Sequence, residues 1–473
     1  MSHYGQLQQA FKNITQSLDN AALCDHRGQT LYMKNSSAFD PGTWSEAFRW
    51  ALKYFPMNQG DILMFNDPYA GGNDFSVFSF ITCLQKPVDN KSGIYLGQRF
   101  ATPIDFKDII HPGKNPFKVP LTPIAPGGVI QMALLEAMCS SPLAPTGLKD
   151  IIDKEVAKAG HVLKRFEVIP KSWLSPKFLQ TFIEETRLTV LMHLKEKPWG
   201  ETRLEINLDT GELIKLNLEM SDLGVRLDFV GTTPGKEFFL PPSALAGCCQ
   251  FFISQYTGLV PFLNEGLFSV FQVSQPTTSC LSSKFPSPTA RGYKLGPRVM
   301  GTLLETALTK INSKPTKGVT NYCGLYVQFQ FPDKKHFEIF VPNGFGAMAE
   351  ADGPCGLDPF NERVYFSAEH SENNWPLRFH RMDLRNSNMG KGKNSGGRGL
   401  IHNIEFVKRG EIYWLSELTQ HRFPVQKNQT SPDKVEILID QEGPASLNPS
   451  AGFQWVEAGQ RVTLASGSGG GLL

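Results

Sequence analysis

Apolar positions recur along this chain in two rhythms, one near 3.6 residues and one near 2, and the switches between them predict its elements. Residues 4–19 read as an amphipathic helix, and ALCDHRGQTLY at 22–32 as strand, turn and strand, with the turn at Asp25-His26-Arg27-Gly28. A helix is predicted over 43–55, with a capping Thr or Ser, Glu46 in its first turn and Pro56 beyond its end. The stretch at 60–80, GDILMFNDPYAGGNDFSVFSF, holds two continuous apolar runs, 61–65 and 77–84, which predict a buried hairpin. Asn66-Asp67-Pro68-Tyr69 ends the first run, since Pro lacks a donor and Asn and Asp favour turns, and Gly71-Gly72 allows close backbone approach. Strand 93–104 and helices over 129–138 and 148–166 follow. Beyond residue 203 strands dominate (203–207, 213–220, 225–229), joined by helices over 243–256 and 296–311, the latter with Arg298 and Glu305 facing outward. The pattern predicts a mixed α/β (α+β) protein forming one unit. An N-terminal lobe, 1–197, carries the hairpin and helices; a larger C-terminal lobe, 198–473, is rich in antiparallel strands.

Composition narrows the function classes. With 473 residues, 19% charged and a net charge of +2, the chain has room for a large core and no field suited to nucleic acid. Phe outnumbers Tyr 34 to 11, as a deep apolar interior requires. No run is long enough to span a membrane and the first residues lack a signal-peptide core, so a cytoplasmic protein is expected. Eight irregularly spaced Cys suit free thiols better than disulfides or a zinc ribbon. Gly390-Lys391-Gly392-Lys393 lacks the strand and helix of a phosphate cradle and reads as a basic loop. His370, His380, His402 and His421 crowd the last third in no recognisable catalytic spacing.

The stretch GDILMFNDPYAGG resembles the signature of the hydantoinase B/oxoprolinase family, G-D-x-x-x-x-N-D-P-Y-x-G-G-T-H-x-x-D. Collinear segments extend the resemblance: Gly231-Thr232-Thr233-Pro234, Asn343-Gly344-Phe345-Gly346, Ala351-Asp352-Gly353, Pro376-Leu377-Arg378, Ser395-Gly396-Gly397-Arg398-Gly399 and the glycine-rich end at 467–471. It implies the B component of 5-oxoprolinases, hydantoinases, or acetone and acetophenone carboxylases. Such a component works in a hetero-oligomer with a hydantoinase A-like ATPase subunit of actin-like fold, which alone handles ATP, on a small-molecule substrate. The resemblance further implies a hydrolase acting on cyclic amides, with a divalent metal held by His and Asp ligands.

This chain departs from the family at those ligands. Asp74 stands for the first His, Val77 for the following Asp, and Asp105 and Phe106 for a His pair, while Asp108 and Pro112-Gly113 keep the frame. Asp67, Asp74, Asp105, Asp108 and His111 remain as candidate ligands. A set so rich in carboxylates favours magnesium or manganese over zinc, and the alternative for these Asp residues is turn formation and capping. Asn66, Pro68, Tyr69, Gly71 and Gly72 form the structural part of the motif. Two further readings stay open: a scaffold or regulatory subunit that has lost the ligands, and a ketone carboxylase subunit.

Overall fold

The computed structural model describes all residues except 1–2, 35–36, 88–91, 112–115, 198–199, 260–262, 312–316, 333–335, 361–366, 387–388, 420–433, 442 and 473, and the side chains of 440–446. Pro112, Gly113 and His421 therefore lie outside the described residues.

The first part is α1 (His3–Ile14), β1 (Ala21–Asp25), β2 (Thr30–Lys34), α2 (Asp40–Tyr54), β3 (Ile62–Phe65), β4 (Val77–Gln85), β5 (Ile94–Ala101), α3 (Phe106–Ile110) and β6 (Thr122–Ala125), followed by α4 (Met132–Cys139), α5 (Leu148–Phe166) and α6 (Pro176–Lys195). The strands form one antiparallel sheet, in the order β2-β1-β5-β4-β3-β6. Its two faces are both covered. Leu84 and Leu96 pack with α1, α5 and α6, and Met64, Phe78 and Phe80 with α4 and α5. Leu63, Phe65, Ile81 and Cys83 face α2 and the central core. Burial on both sides is why β3 and β4 are continuous apolar runs and do not alternate.

The second part opens with β7 (Gly200–Asn207), β8 (Leu213–Ser221), β9 (Gly224–Asp228), α7 (Pro242–Thr257), α8 (Glu265–Phe268) and β10 (Phe271–Ser274). Its sheet runs β10-β9-β8-β7, and only the β9–β10 pair is parallel. In β8 the alternation is clean: Ile214, Leu216, Leu218 and Met220 are buried. Next come α9 (Ala290–Ile311), β11 (Leu325–Gln330), β12 (His336–Val341), α10 (Ala368–Asn374), β13 (Leu377–Leu384), β14 (Leu400–Phe406), β15 (Gly410–Leu415), β16 (Glu436–Gln441), β17 (Gly443–Ser446), β18 (Ala451–Val456) and β19 (Arg461–Ala465). Two sheets, β12-β11-β15-β18 and β13-β14-β19-β16-β17, enclose a core in which Val327, Phe329 and Ile339 meet Ile404, Ile437 and Val462. The largest apolar cluster draws on residues from Ala22 to Leu418, on both sides of residue 197.

Two sequence expectations are corrected. The helix α2 begins at Asp40, its N-cap position is Phe39 without a side-chain cap, and Thr43 Oγ1 bonds back to Phe39 O at 2.9 Å. Arg298 of α9 points inward: it is 1% exposed and bidentate to Asp358 at 2.9 and 3.1 Å, with its guanidinium 3.6 Å from the Phe340 ring centre. Glu305, expected on the same outer face, pairs with Lys317 in a half-buried position. The eight cysteines are free thiols, and Cys355 is the exposed one. Among the described residues, no helix is long and apolar enough to cross a membrane.

Candidate functional site

Each residue of the motif turn has a defined structural partner. Asn66 closes β3: its Nδ2 donates to Phe75 O (2.5 Å) and Phe117 O (2.7 Å), and its Oδ1 accepts from Val119 N (2.7 Å). Asp67 caps the short 3-10 turn at Pro68–Ala70, accepting from Tyr69 N (3.0 Å), and its other oxygen pairs with Lys118 Nζ at 2.8 Å. Gly71 has φ +83, and a Cβ there would lie 2.2 Å from Ala47 N in α2. A Cβ at Gly72 would lie 2.6 Å from Asp67 O. Only glycine lets the turn lie this close to the helix.

Beneath the turn is a buried polar network absent from the sequence expectations. Asp40, at the start of α2, pairs with Arg99 of β5. Arg99 also donates to Thr43 Oγ1 (2.9 Å), Gly71 O (2.7 Å) and Ser79 Oγ (3.1 Å), and its guanidinium lies 3.8 Å from the Trp44 ring centre. Asn73 joins by accepting from Thr43 Oγ1 (2.8 Å) and donating to Asp40 Oδ1 (3.2 Å). Burial draws the Arg99 pKa down while Asp40 opposes the shift.

The candidate ligands are dispersed over this scaffold. Asp74 Oδ1 accepts from Ser76 N and Oγ (3.0 and 2.8 Å), and its Oδ2 accepts from Thr289 Oγ1 at 2.9 Å. Asp105 caps α3 and accepts from Lys107 N (2.9 Å) and Gln330 Nε2 (2.7 Å). Asp108 and His111 are exposed, and His111 meets the Phe453 ring edge-on. Val77 and Phe106 are buried, Phe106 against Tyr326. Among the described residues, no three His, Cys, Asp or Glu side chains are grouped so as to hold a metal ion. Asp67 and Asp74 each engage both carboxylate oxygens with donors of the protein.

What the motif does border is a cavity of about 580 Å³. The facing helices α2 and α7 form one wall, crossing so closely that a Cβ on Gly42 would lie 2.1 Å from Ser243 O and one on Gly247 2.1 Å from Phe39 O. Tyr69 and the segment 283–285 form another. Glu265 is held by Arg49 (2.7 Å), Thr30 N (3.2 Å) and Ser45 Oγ (3.2 Å). The Tyr69 hydroxyl donates to Ser287 O. Burial, with Asp67 and Asp74 nearby, raises its pKa and keeps it a donor at neutral pH. Chemically, this is a half-open cleft of mixed lining, apolar at Pro241, Phe268 and Phe285 and charged at Arg49 and Glu265, sized for a small molecule. Apart from Tyr69 of the motif, its residues come from separated segments with no local motif, so the sequence carried no signal for them.

The family model described as hydantoinase B/oxoprolinase matches residues 176–472. The chain belongs to the hydantoinase B/oxoprolinase family. Among curated relatives of this hydantoinase B-like chain, the B subunit of a putative D-/L-hydantoinase from Pseudomonas sp. (strain NS671) is 22% identical, over 75% of this chain and 65% of its own length. The 5-oxoprolinase 1 of Arabidopsis thaliana is also 22% identical, over 91% of this chain and 37% of its own. The chain thus spans less than two thirds of either relative. Among solved structures, the ATP-dependent caprolactamase from Pseudomonas jessenii has a TM-score of 0.78 at 15% identity, covering 99% of this chain and 89% of that one. Acetone carboxylase in its nucleotide-free form has a TM-score of 0.74 at 14% identity, covering 99% and 75%. The family match starts after the motif turn, whereas the shared fold includes it. The cavity joins the two, with Tyr69 from the motif and Gln250, Glu265 and 283–285 from the matched region.

Proposed function

We propose that this chain is the B component of an ATP-dependent cyclic-amide hydrolase, resembling hydantoinase or 5-oxoprolinase, that acts with an actin-like ATPase subunit. The observation that carries this reading is the family match over residues 176–472. The names of the two relatives, a hydantoinase subunit and an oxoprolinase, supply the substrate class, and the cavity beside the motif supplies room for a small ring. Assigning ATP to the partner agrees with the packing of the Gly-Lys-Gly-Lys loop: a Cβ on Gly390 would lie 2.1 Å from Gly471 N, so this glycine faces the protein's own tail.

A second reading, a non-catalytic scaffold subunit, is favoured by Val77 and Phe106, which bury apolar groups where the family pattern has ligands. The test is an ATP-coupled ring-opening assay on the chain co-expressed with its ATPase partner, using hydantoin and 5-oxoproline, with elemental analysis for manganese and magnesium. Turnover dependent on both chains supports the hydrolase. An intact complex that hydrolyses neither ring supports the scaffold.

A further inference from the structure

An open sheet edge is a template for another chain, and native proteins defend such edges with charge, proline, brevity or cover. Most edges of this protein are defended in one of these ways. Pro123 stands in β6 and Pro444 in β17, and β10 is four residues long. Strand β7 carries Glu201, Arg203 and Glu205, and β13 carries Arg378, Arg381 and Asp383. Lys34 ends β2 and bonds to Thr15 O, Gln16 O and Leu18 O, while Trp375 closes on β12 through its bond to His336 O. The edge strand β18, AGFQWV, is the exception, with neither charge nor proline. Its ladder with β15 continues from the bond Ser416 N to Ser450 O, so Gly452, Gln454 and Val456 turn their backbone groups towards β15. The N–H and C=O of Phe453 and Trp455 therefore point away from the sheet, and among the described residues they have no hydrogen-bond partner. Both side chains stand on the outer face, each 44% exposed, where Phe453 stacks on Tyr413 and Trp455 lies under Arg409.

We propose that β18 is a self-association edge, pairing antiparallel with β18 of a second copy of this chain about a two-fold axis at Gln454. A strand with free groups on alternate residues is self-complementary under such an axis. Centring the axis on Gln454 sets Phe453 opposite Trp455 of the second copy and Trp455 opposite its Phe453. Two aromatic cross-strand pairs then form together with their main-chain bonds. Centring it on Phe453 would set Trp455 against Ala451 and leave one aromatic pair. The sheet β12-β11-β15-β18 would run on into its copy, and the exposed rings would be covered. Charge does not oppose this contact. The whole chain carries +2, and the charged pair flanking the strand, Arg409 and Glu457, is neutralised within one copy at 3.2 Å. The edge is separate from the cavity beside the motif, whose described lining includes no residue of β18, and the pairing does not depend on the hydrolase reading.

The test is sedimentation equilibrium of the purified full chain, without any partner, which should give twice the chain mass at micromolar concentration. Phe453→Pro removes an outward donor that β15 does not use, and Trp455→Lys sets a charge on the edge. Each should raise the dissociation constant about tenfold or more while the far-ultraviolet circular dichroism stays that of the parent. A second measurement reads the register. Cys355, the exposed thiol, is first replaced by Ser. In that background Gln454→Cys should form a disulfide between copies, since residues opposed in a non-bonded antiparallel pair lie about 4.5 Å apart at Cα, within disulfide reach. A chain that stays monomeric at micromolar concentration, or a dimer that neither edge variant weakens, would overturn the proposal. A dimer weakened by both variants yet unlinked through Gln454→Cys would overturn the axis at Gln454. A monomer whose complex with the ATPase subunit is broken by Trp455→Lys would give the edge to that subunit and overturn self-pairing.

Discussion

Asp40 and Arg99 hold the motif turn from below, and the consequence is measurable. Both are buried, and the guanidinium is shared among a carboxylate, two hydroxyls and the Gly71 carbonyl. Removing one member of such a pair leaves a buried charge without its counter-charge. Arg99→Ala should therefore cost about 3–5 kcal/mol in denaturant unfolding, and combining it with Asp40→Ala should cost less than the two single losses summed. Additive losses would show that the two residues act independently. The glycines give a second prediction. Gly71→Ala combines a left-handed backbone with a clash against α2, whereas Gly72→Ala meets the Asp67 carbonyl from an ordinary backbone conformation. Both should destabilise, Gly72→Ala by roughly 1–3 kcal/mol and Gly71→Ala by more; equal melting temperatures would sink the ordering. The turn was legible because Asn and Asp side chains bond to nearby backbone while Pro and Gly set what φ the chain can take. Its anchor was not, because Arg99 sits in an apolar strand and its partner lies 59 positions away. The carboxylates were legible only as two alternatives, and Asp67 and Asp105 both act as side-chain caps.

At the scale of elements, periodicity found the helices and strands but not the faces they share. The spacing placed α5 at the bounds observed, since nineteen residues of amphipathic pattern leave little ambiguity. It could not foresee that α2 and α7 cross at two glycines, because a glycine within a helical pattern carries no side chain to mark the contact. Strand β14 shows the same limit. Alternation puts His402, Ile404 and Phe406 on the buried face, so a histidine that stood out only as one of several is enclosed. Burial lowers its pKa from 6.5 to about 4. The unfolded chain thus takes up a proton before the folded one does, and stability falls as pH drops from 6.5 towards 4. The loss should approach 3 kcal/mol at full protonation of both states. Denaturant unfolding at pH 7.5 and pH 4.5 checks this: His402→Leu should show a shallower decline than the parent chain. Parallel declines would remove His402 as a cause.

At the scale of the whole molecule, the mixed class and the strand-rich second half were legible from the pattern, because each sheet announces itself locally. The manner of closure was not. The glycine-rich end at 467–472 has the composition of a linker yet lies buried within the C-terminal half of the protein. Its backbone bonds to several segments of the fold. Gly467 O accepts from Gly344 N, Gly469 O from Gly390 N and Gly470 O from Ala347 N, while Gly469 N donates to Gly397 O, Gly470 N to Val319 O and Leu472 N to Asn394 O. The tail thus adds backbone bonds to three glycine-bearing segments that also bond to one another, Gly318 N to Ala347 O and Gly397 N to Phe345 O. A side chain on Gly469 would put its Cβ 1.7 Å from Phe345 O, so the segments meet backbone to backbone. Deleting 467–473 leaves these buried donors and acceptors unpaired at about 1–3 kcal/mol each. Their sum rivals the total stability of an ordinary domain, about 5–15 kcal/mol. The shortened chain should lose its cooperative melt and become protease-sensitive across 318–347 and 390–397. Gly469→Val in the full-length chain should weaken the same segments. A truncated chain that melts within a few degrees of the parent would show that the tail is carried by the fold and does not hold it.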